Sequence, residues 1–169
     1  MGEAGILGED DRVELIEGEI LRMAPIGDRH VGRVIEANDL FTSRLGRRVL
    51  VSVQNPVRLS ELSEPQPDLV LMRRPDAGHV LRAPHPSDVL LLVEVADTTL
   101  SYDRDRKVPL YAKAGIPETW ILDIPADVLR VYREPVAGEY RHVEILSRGA
   151  SIAPLAFPDI LFAVDDLLG

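Results

Sequence analysis

The chain has 169 residues, of which 46% are hydrophobic and 28% are charged, a composition typical of a soluble globular domain with a substantial core. Its formal charge of −9 argues against a protein that coats nucleic acid through a broad basic surface, while leaving room for a local basic groove. It contains no cysteine, which excludes disulfides, thiolate metal sites and cysteine nucleophiles.

The sequence carries no signal for a membrane or a secreted protein. The longest apolar run, Val89–Val93, is too short to cross a bilayer. The segment before residue 13 has no basic stretch followed by an apolar one, so we expect no secretory signal and a cytoplasmic location. Proline and glycine occur singly between periodic segments, which predicts a single domain over residues 1–169.

The N-terminal part of the chain predicts a hairpin followed by a helix. Residues 12–24 alternate apolar and polar side chains around the pair Glu17 and Gly18, a pattern typical of a β-hairpin. Apolar side chains then recur at three- and four-residue steps over residues 28–45. This spacing predicts an amphipathic helix, and Gly46 is placed to end it.

The middle of the chain predicts strands and a second helix. The strand-like runs are 48–59, 68–73, 89–96 and 119–124. Residues 89–96 are apolar on both faces up to Glu94, which is typical of a central strand with a helix on each side of the sheet. Residues 102–114 predict a helix, and Pro109 inside it predicts a kink or two abutting short helices.

The C-terminal part predicts a hairpin over residues 128–135 and 140–147, and a short return to the core over residues 151–162. The order of the elements is hairpin, helix, three strands, helix and further strands. This order predicts an α/β fold of the α+β type, with a mixed central β-sheet flanked by helices.

Two carboxylates stand where apolar or neutral side chains are expected. An ionised Glu94 inside the run VLLLVEVA loses its hydration, so it requires an ion pair or a cation. Asp68 opens its own predicted strand directly after Pro67 and projects towards a neighbouring strand. If the two strands are adjacent, the carboxylates repel each other, and a divalent cation such as Mg²⁺ removes that repulsion by taking oxygen ligands from both.

Lys107 is the third candidate, because it lies on the predicted helix that follows the strand of Glu94. A crossover helix packs back over the strand that it leaves, so the amine can reach the carboxylate. Asp68, Glu94 and Lys107 together suit phosphodiester hydrolysis. The carboxylates hold a metal ion that activates water, and the lysine orients that water or helps to deprotonate it.

Two long motifs resemble a known family: PDLVLMRR at 67–74 and DVLLLVEVADTTLSYDRDRKVPLYAKAGIPETWILDI at 88–124. Both are similar to the core of the Uma-type restriction endonuclease family, a branch of the PD-(D/E)XK nuclease superfamily. The segments VELIEGEILRMAP at 13–25 and QNPVRL at 54–59, with the helix that begins near His30, also match that pattern. The resemblance therefore covers most of the chain.

The resemblance implies a restriction-endonuclease-like fold and DNA cleavage that depends on Mg²⁺ or Mn²⁺. It assigns Asp68 and Glu94 as metal ligands and Lys107 as the catalytic lysine. In the commoner superfamily pattern the lysine lies two residues after the glutamate. That position is Ala96 in this chain, so the resemblance implies that the lysine on the helix replaces it.

Three further residues lie at places that match the family. Gln54 resembles a polar residue on the strand before Asp68, where it would position water or phosphate. His30 and Glu14 lie at matching places near the N-terminal elements, and both are candidates for an additional metal contact, with the role of each left open.

DNA binding by an acidic protein requires a local basic patch. The candidates are the arginines on and after the first predicted helix: Arg29, Arg33, Arg44, Arg47 and Arg48. A homodimer is expected from the family analogy, because cutting both strands of a duplex needs two active sites.

A non-catalytic interpretation competes with the nuclease. In it a nuclease-like fold serves as a binding or regulatory module, and Asp68, Glu94 and Lys107 form a structural ion-pair network. Arg104 is another candidate partner for Glu94, although residues 103–106 are most simply a solvated first helical turn. A further alternative, in which RNA or another phosphoester is cut, shares the same site.

Overall fold

The protein is described here by a computed structural model that covers residues 12–23, 25–75 and 82–169. Ala24, the last residue of the segment predicted as a hairpin, lies outside these ranges. The first eleven residues also lie outside them, so the predictions of a missing secretory signal and of one domain over the whole chain stay predictions.

The N-terminal elements form as predicted. Strands β1 (Val13–Ile16) and β2 (Glu19–Arg22) pair antiparallel, and Gly18 provides the positive φ of +86° that the tight turn requires. Helix α1 spans Asp28–Leu45, and Gly46 ends it with a φ of +53°.

Six strands of the described residues form one central sheet: β3 (Leu50–Val53), β4 (Leu69–Met72), β5 (Val89–Ala96), β6 (Glu118–Asp123), β7 (Val128–Val136) and β8 (Glu139–Ser147). Their order in the sheet is their order in the chain. Strands β5 and β6 run parallel and the other neighbours run antiparallel, which confirms the predicted mixed sheet.

The run predicted as a strand over residues 48–59 is an extended strand only at Leu50–Val53. Gln54 adopts a φ of +49°, a left-handed conformation that an extended ladder does not accommodate. The predicted strand was too long because apolar and polar side chains continue to alternate in the sequence after the backbone has left the sheet. Residues 54–67 instead form a loop that leads back to β4 beside β3.

The crossover from β5 to β6 consists of three abutting helical segments: α2 (Leu100–Tyr102), a π-helical turn (Asp103–Lys107) and α3 (Val108–Lys113). Pro109 lies in the first turn of α3. Its ring would clash with the carbonyl four residues earlier in a continuous α-helix, and the wider π turn relieves this clash. The interruption predicted from Pro109 is confirmed.

A helical layer covers each face of the sheet, as the apolar character of β5 predicted. Leu91 and Val93 of β5 pack with α1 and with α4 (Val164–Leu168), while Leu92 packs on the opposite face with α3. In the segment predicted to return to the core, the two short strands β9 (Ser151–Ile152) and β10 (Phe162–Ala163) pair before α4. None of the helices in the described part of the chain is long and apolar enough to cross a membrane.

Three aromatic rings fill the centre of the core on the α1 face. Trp120, Phe41 and Phe162 are fully buried, with ring centroids 5.0 to 6.4 Å apart. Glu118 lies beside them with no exposed surface, and its carboxylate accepts hydrogen bonds from Trp120 Nε1 and from Arg133. A buried charge is stable there because it is paired and hydrogen-bonded.

Phe162→Ala is expected to lower the free energy of unfolding by about 3–5 kcal/mol, because it leaves a cavity beside Trp120 and Phe41. Trp120 is the single tryptophan of the chain, so its fluorescence during urea denaturation reports the loss directly. Leu161→Ala is the matched control, since the adjacent leucine is 60% exposed and is expected to change stability by less than about 0.5 kcal/mol. Equal effects of the two substitutions would contradict this description of the core.

Candidate active site

The two candidate carboxylates lie on neighbouring strands. Leu69 of β4 stands opposite Val93 of β5, and continuing this register places Asp68 opposite Glu94. Because side chains alternate along a strand, Glu94 lies on the face that α3 covers. The predicted adjacency of the two strands is therefore confirmed, and both residues are largely buried, with exposed fractions of 9% and 2%.

Lys107 reaches Glu94 from the helical crossover, as predicted. Its ammonium lies 3.2 Å from Glu94 Oε1, 2.9 Å from Glu14 Oε1 and 3.8 Å from Asp103 Oδ1. It also donates to the carbonyl oxygen of Gln66 at 3.4 Å, and only 4% of the residue is exposed. The lysine therefore lies among three carboxylates, of which the sequence had pointed to Glu94 alone as its partner.

Glu14 brings the N-terminal hairpin into the site. Its Oε1 accepts hydrogen bonds from Lys107 and from the backbone N–H of Gln66 at 2.7 Å. Its Oε2 accepts a hydrogen bond from the Tyr102 hydroxyl at 2.9 Å. These contacts give Glu14, whose role the sequence left open, a position on the ammonium of Lys107.

Asp103 corrects the prediction that the first turn of this helix is solvated. Arg104 and Asp105 pair with each other and are exposed, but Asp103 is buried and accepts a hydrogen bond from the Thr99 hydroxyl at 2.6 Å. Its position four residues before Lys107 is the signal that was available, since side chains at this spacing share a helix face. Arg104, the alternative partner considered for Glu94, is turned to Asp105 instead.

Tyr111 of α3 is a second partner of Glu94. Its buried hydroxyl donates to Glu94 Oε1 at 2.5 Å, beside the contact from Lys107. Two donors, Lys107 and Tyr111, therefore hold the same oxygen of Glu94.

His30 and Gln54 both contact Asp68. His30 Nε2 lies 2.9 Å from Asp68 Oδ1, and Gln54 Nε2 donates to the same oxygen at 3.3 Å. The backbone N–H of Val95 donates to Asp68 Oδ2 at 2.8 Å. The hydrogen bond with Asp68 raises the pKa of His30 although partial burial opposes the charged ring. All the residues selected from the sequence thus lie in one cluster.

Burial and neighbouring charges shift the pKa values of the groups around Lys107. Burial raises the pKa of Glu94 well above its ordinary value and raises the pKa of Asp103 to about 6, while the charge of Lys107 opposes both shifts. Burial disfavours the ammonium of Lys107, but Glu94, Glu14 and Asp103 outweigh it and raise its pKa. Lys107 is therefore a fixed positive charge at neutral pH, and it contacts three carboxylates.

The donor set fits a hydrated divalent cation better than a closed metal cage. Asp68, Glu94 and His30 line one cavity of about 740 Å³. Among the described residues, no three His, Asp or Glu side chains are grouped as a preformed metal centre. Mg²⁺ commonly binds through one or two carboxylates and retains several waters, and Asp68 and Glu94 are two carboxylates that could hold it in this way.

The arginines predicted as a DNA-binding patch do not gather at this cavity, and four of the five have acidic partners. The pairs are Arg29 with Asp97, Arg33 with Glu36, Arg44 with Asp166 and Arg48 with Asp159. The arginines that line the cavity are Arg12, Arg22 and Arg106 instead. The DNA-binding role of the patch around the first helix stays a prediction.

Asp103→Asn is expected to raise the free energy of unfolding by about 1–3 kcal/mol at pH 7. Burial raises the pKa of Asp103 from 3.8 to about 6 in the folded protein, so its ionisation destabilises the fold as the pH rises through this interval. The gain should therefore shrink towards pH 4, as chemical denaturation between pH 4 and pH 8 would measure. Asp105→Asn, an exposed change in the same turn, is the control, and identical pH profiles for the two variants would contradict the assignment.

Comparisons with known proteins identify the family and the fold. The family model Uma2, described as "Putative restriction endonuclease", matches residues 4–165. The crystal structure of a protein from Anabaena variabilis, described as a "putative nuclease belonging to DUF820", is similar with a TM-score of 0.74. The two chains are 17% identical over 98% of this chain and 94% of that chain, a likeness that shows the fold and confirms the predicted fold class. Among curated proteins none matches. Because the family model covers nearly the whole sequence, this protein belongs to the Uma2 family.

Proposed function

We propose that this protein is a metal-dependent endonuclease that hydrolyses phosphodiester bonds of DNA. The observation that carries the proposal is the convergence of Asp68, Glu94 and Lys107 on one cavity, within a chain of the Uma2 family. Asp68 and Glu94 would hold Mg²⁺ or Mn²⁺, and His30, which touches Asp68, is the candidate for a further contact. A cation bound there lowers the pKa of water and offsets the charge that develops on the phosphate.

The protein's own residues have distinct tasks in this proposal. The Val95 N–H, Gln54 and His30 hold the carboxylate of Asp68 in one orientation. Lys107 supplies a fixed positive charge next to Glu94, from which it can orient a water molecule or a phosphate oxygen by hydrogen bonding. Since its ammonium stays protonated among carboxylates, we assign it to positioning and charge stabilisation and not to taking a proton.

One observation favours a second candidate function. Lys107 already contacts three carboxylates, as it would in a structural ion-pair network inside a non-catalytic binding or regulatory module. The two functions differ in their response to cations. A nuclease site binds Mg²⁺ or Mn²⁺ between Asp68 and Glu94, whereas a closed network is indifferent to both ions.

Glu94→Gln is expected to abolish metal-dependent cleavage and to weaken metal binding at least about tenfold, because it removes a charged ligand. Wild type should gain about 3–6 °C in Tm at a Mg²⁺ or Mn²⁺ concentration ten times the dissociation constant, and the variant should gain much less. Cleavage of supercoiled plasmid and single-stranded DNA with Mg²⁺, Mn²⁺ or EDTA completes the test.

Glu139→Gln, at the exposed start of β8, is the matched control for the loss of one carboxylate. It should cleave DNA and respond to metal as wild type does. If wild type neither cleaves DNA nor gains thermal stability with either ion, the structural ion-pair network replaces the nuclease as the function of the cluster.

Lys107→Ala is expected to abolish cleavage while preserving metal binding, since the amine is assigned to water and phosphate and not to the ion. It also leaves buried carboxylates without their ammonium, which costs about 3–5 kcal/mol of stability. A bound cation can replace part of that missing charge, so Mn²⁺ should raise the Tm of the variant more than that of wild type.

The control for this variant is Lys113→Ala, because the chain has two lysines and the second is an exposed partner of Glu17 outside the cavity. Its nuclease activity and its Tm shift with Mn²⁺ should match those of wild type. A folded Lys107→Ala protein that cleaves DNA at the wild-type rate would remove Lys107 from the mechanism.

A further inference from the structure

We infer that the cavity takes an unpaired DNA strand, as in single-stranded DNA, a flap or a frayed end, and does not act on an intact duplex. This inference rests on the proposed function, because it names the substrate class of the same site. It follows from the depth of the carboxylates, the size of the cavity and the distribution of apolar and basic side chains along its walls.

The residues that would contact the scissile phosphate lie at the bottom of the cavity. Glu94, Lys107 and Asp68 expose less than a tenth of their surface, although all three line the cavity. Strands β1 and β2 form one wall of it, and α2 with the π-helical turn forms another. A phosphodiester must therefore enter between these walls to reach the carboxylates.

The volume of about 740 Å³ is that of a site for a small ligand. A DNA duplex is a stiff rod with a persistence length of about 150 base pairs, and its phosphates lie on a convex surface. Enzymes that bring nucleotides into such pockets use single-stranded substrates or separate the strands, which costs a few kcal/mol. A strand that is already unpaired avoids this cost.

The chemistry of the walls also matches an unpaired strand. Apolar side chains from β2 and the segment after it line the cavity: Leu21, Met23, Pro25 and Ile26. Tyr102 adds a half-buried ring, which also lies near Lys107 Nζ. Unpaired bases expose flat apolar faces that bind to such surfaces, whereas a duplex hides these faces in its own stack.

The basic residues lie where the flanking phosphates of such a strand would run. Arg12, Arg22 and Arg106 line the cavity together with the apolar wall. Arg106 lies 3.7 Å from Glu19, so a phosphate would compete with that carboxylate for its guanidinium, and three arginines suit a short stretch of a single strand. A single strand also needs one cut, so one active site suffices and the homodimer expected for duplex cleavage is not required.

The decisive experiment compares three fluorescent DNA probes: a single strand, the blunt duplex of the same sequence and a duplex with a single-stranded overhang. Binding is measured by anisotropy with Ca²⁺ or EDTA, and cleavage products are mapped with Mg²⁺ or Mn²⁺. We expect the single strand to bind at least about tenfold more tightly than the blunt duplex, and cuts in the overhang probe to fall in its unpaired part. Equal or tighter binding of the duplex, or cuts throughout its paired part, would overturn the inference.

Two charge-reversal variants test whether the single strand binds at the cavity. Arg106→Glu at the cavity should weaken binding of the single strand about tenfold, whereas Arg141→Glu changes the net charge equally on β8, three strands away from β5, and should leave it unchanged. Equal losses in the two variants would mean that the strand binds elsewhere and would contradict the inference.

The binding measurement tests the choice of an unpaired strand, and the cleavage measurement tests the proposed hydrolysis. If no probe is cut with either metal but the single strand is preferred and Arg106→Glu abolishes that preference, the proposed hydrolysis is wrong while the assignment of an unpaired strand to this cavity is supported. If the probes are cut without regard to pairing, hydrolysis is supported and the inference is wrong.

Discussion

The site depends on the burial of one ammonium group, Lys107 Nζ, among three carboxylates. Each carboxylate comes from a different element: Glu14 from β1, Glu94 from β5 and Asp103 from the π-helical turn. Without these partners a buried ammonium would lose its proton or leave the interior. The same contacts therefore hold the hairpin against the central sheet and close one end of the cavity, so that structure and chemistry share one interaction.

The two proposed metal ligands are held in different ways, and this difference links the lysine to the cation. Asp68 is oriented by the Val95 N–H, Gln54 and His30, none of which is a permanent cation. Glu94 shares one oxygen with the ammonium of Lys107 and with a tyrosine hydroxyl. A cation that binds both carboxylates shares Glu94 with Lys107 but does not share Asp68. The binding free energy of the cation and the strength of the Glu94–Lys107 ion pair therefore depend on each other.

Much of the fold and the centre of the site could be predicted from the sequence, because their signals are local. The apolar spacing of α1 and the continuous apolar run of β5 predicted both elements, and a carboxylate inside that run singled out Glu94. Glu14 and Asp103 were placed wrongly or left open, because their roles come from the docking of a hairpin and from a π turn. The docking of the hairpin leaves no periodic pattern in the sequence, and the four-residue spacing between Asp103 and Lys107 was the one signal available. The partners of Arg44 and Arg48 could not be predicted either, since their ion pairs are made with residues far along the chain.

The N-terminal hairpin contributes both to the ion pairs of Lys107 and to the wall of the cavity. Its buried side contributes Glu14 to the ammonium of Lys107, and the segment that leaves it contributes the apolar wall of the cavity. The hairpin is bound to the rest of the protein by few backbone hydrogen bonds, among them those between Gly18 and Leu62 and between Glu64 and Leu15. The ion pair in the floor of the site therefore also sets the position of the wall that would contact a substrate. A change that weakens the hold on Lys107 alters the charge of the site and the width of its entrance together.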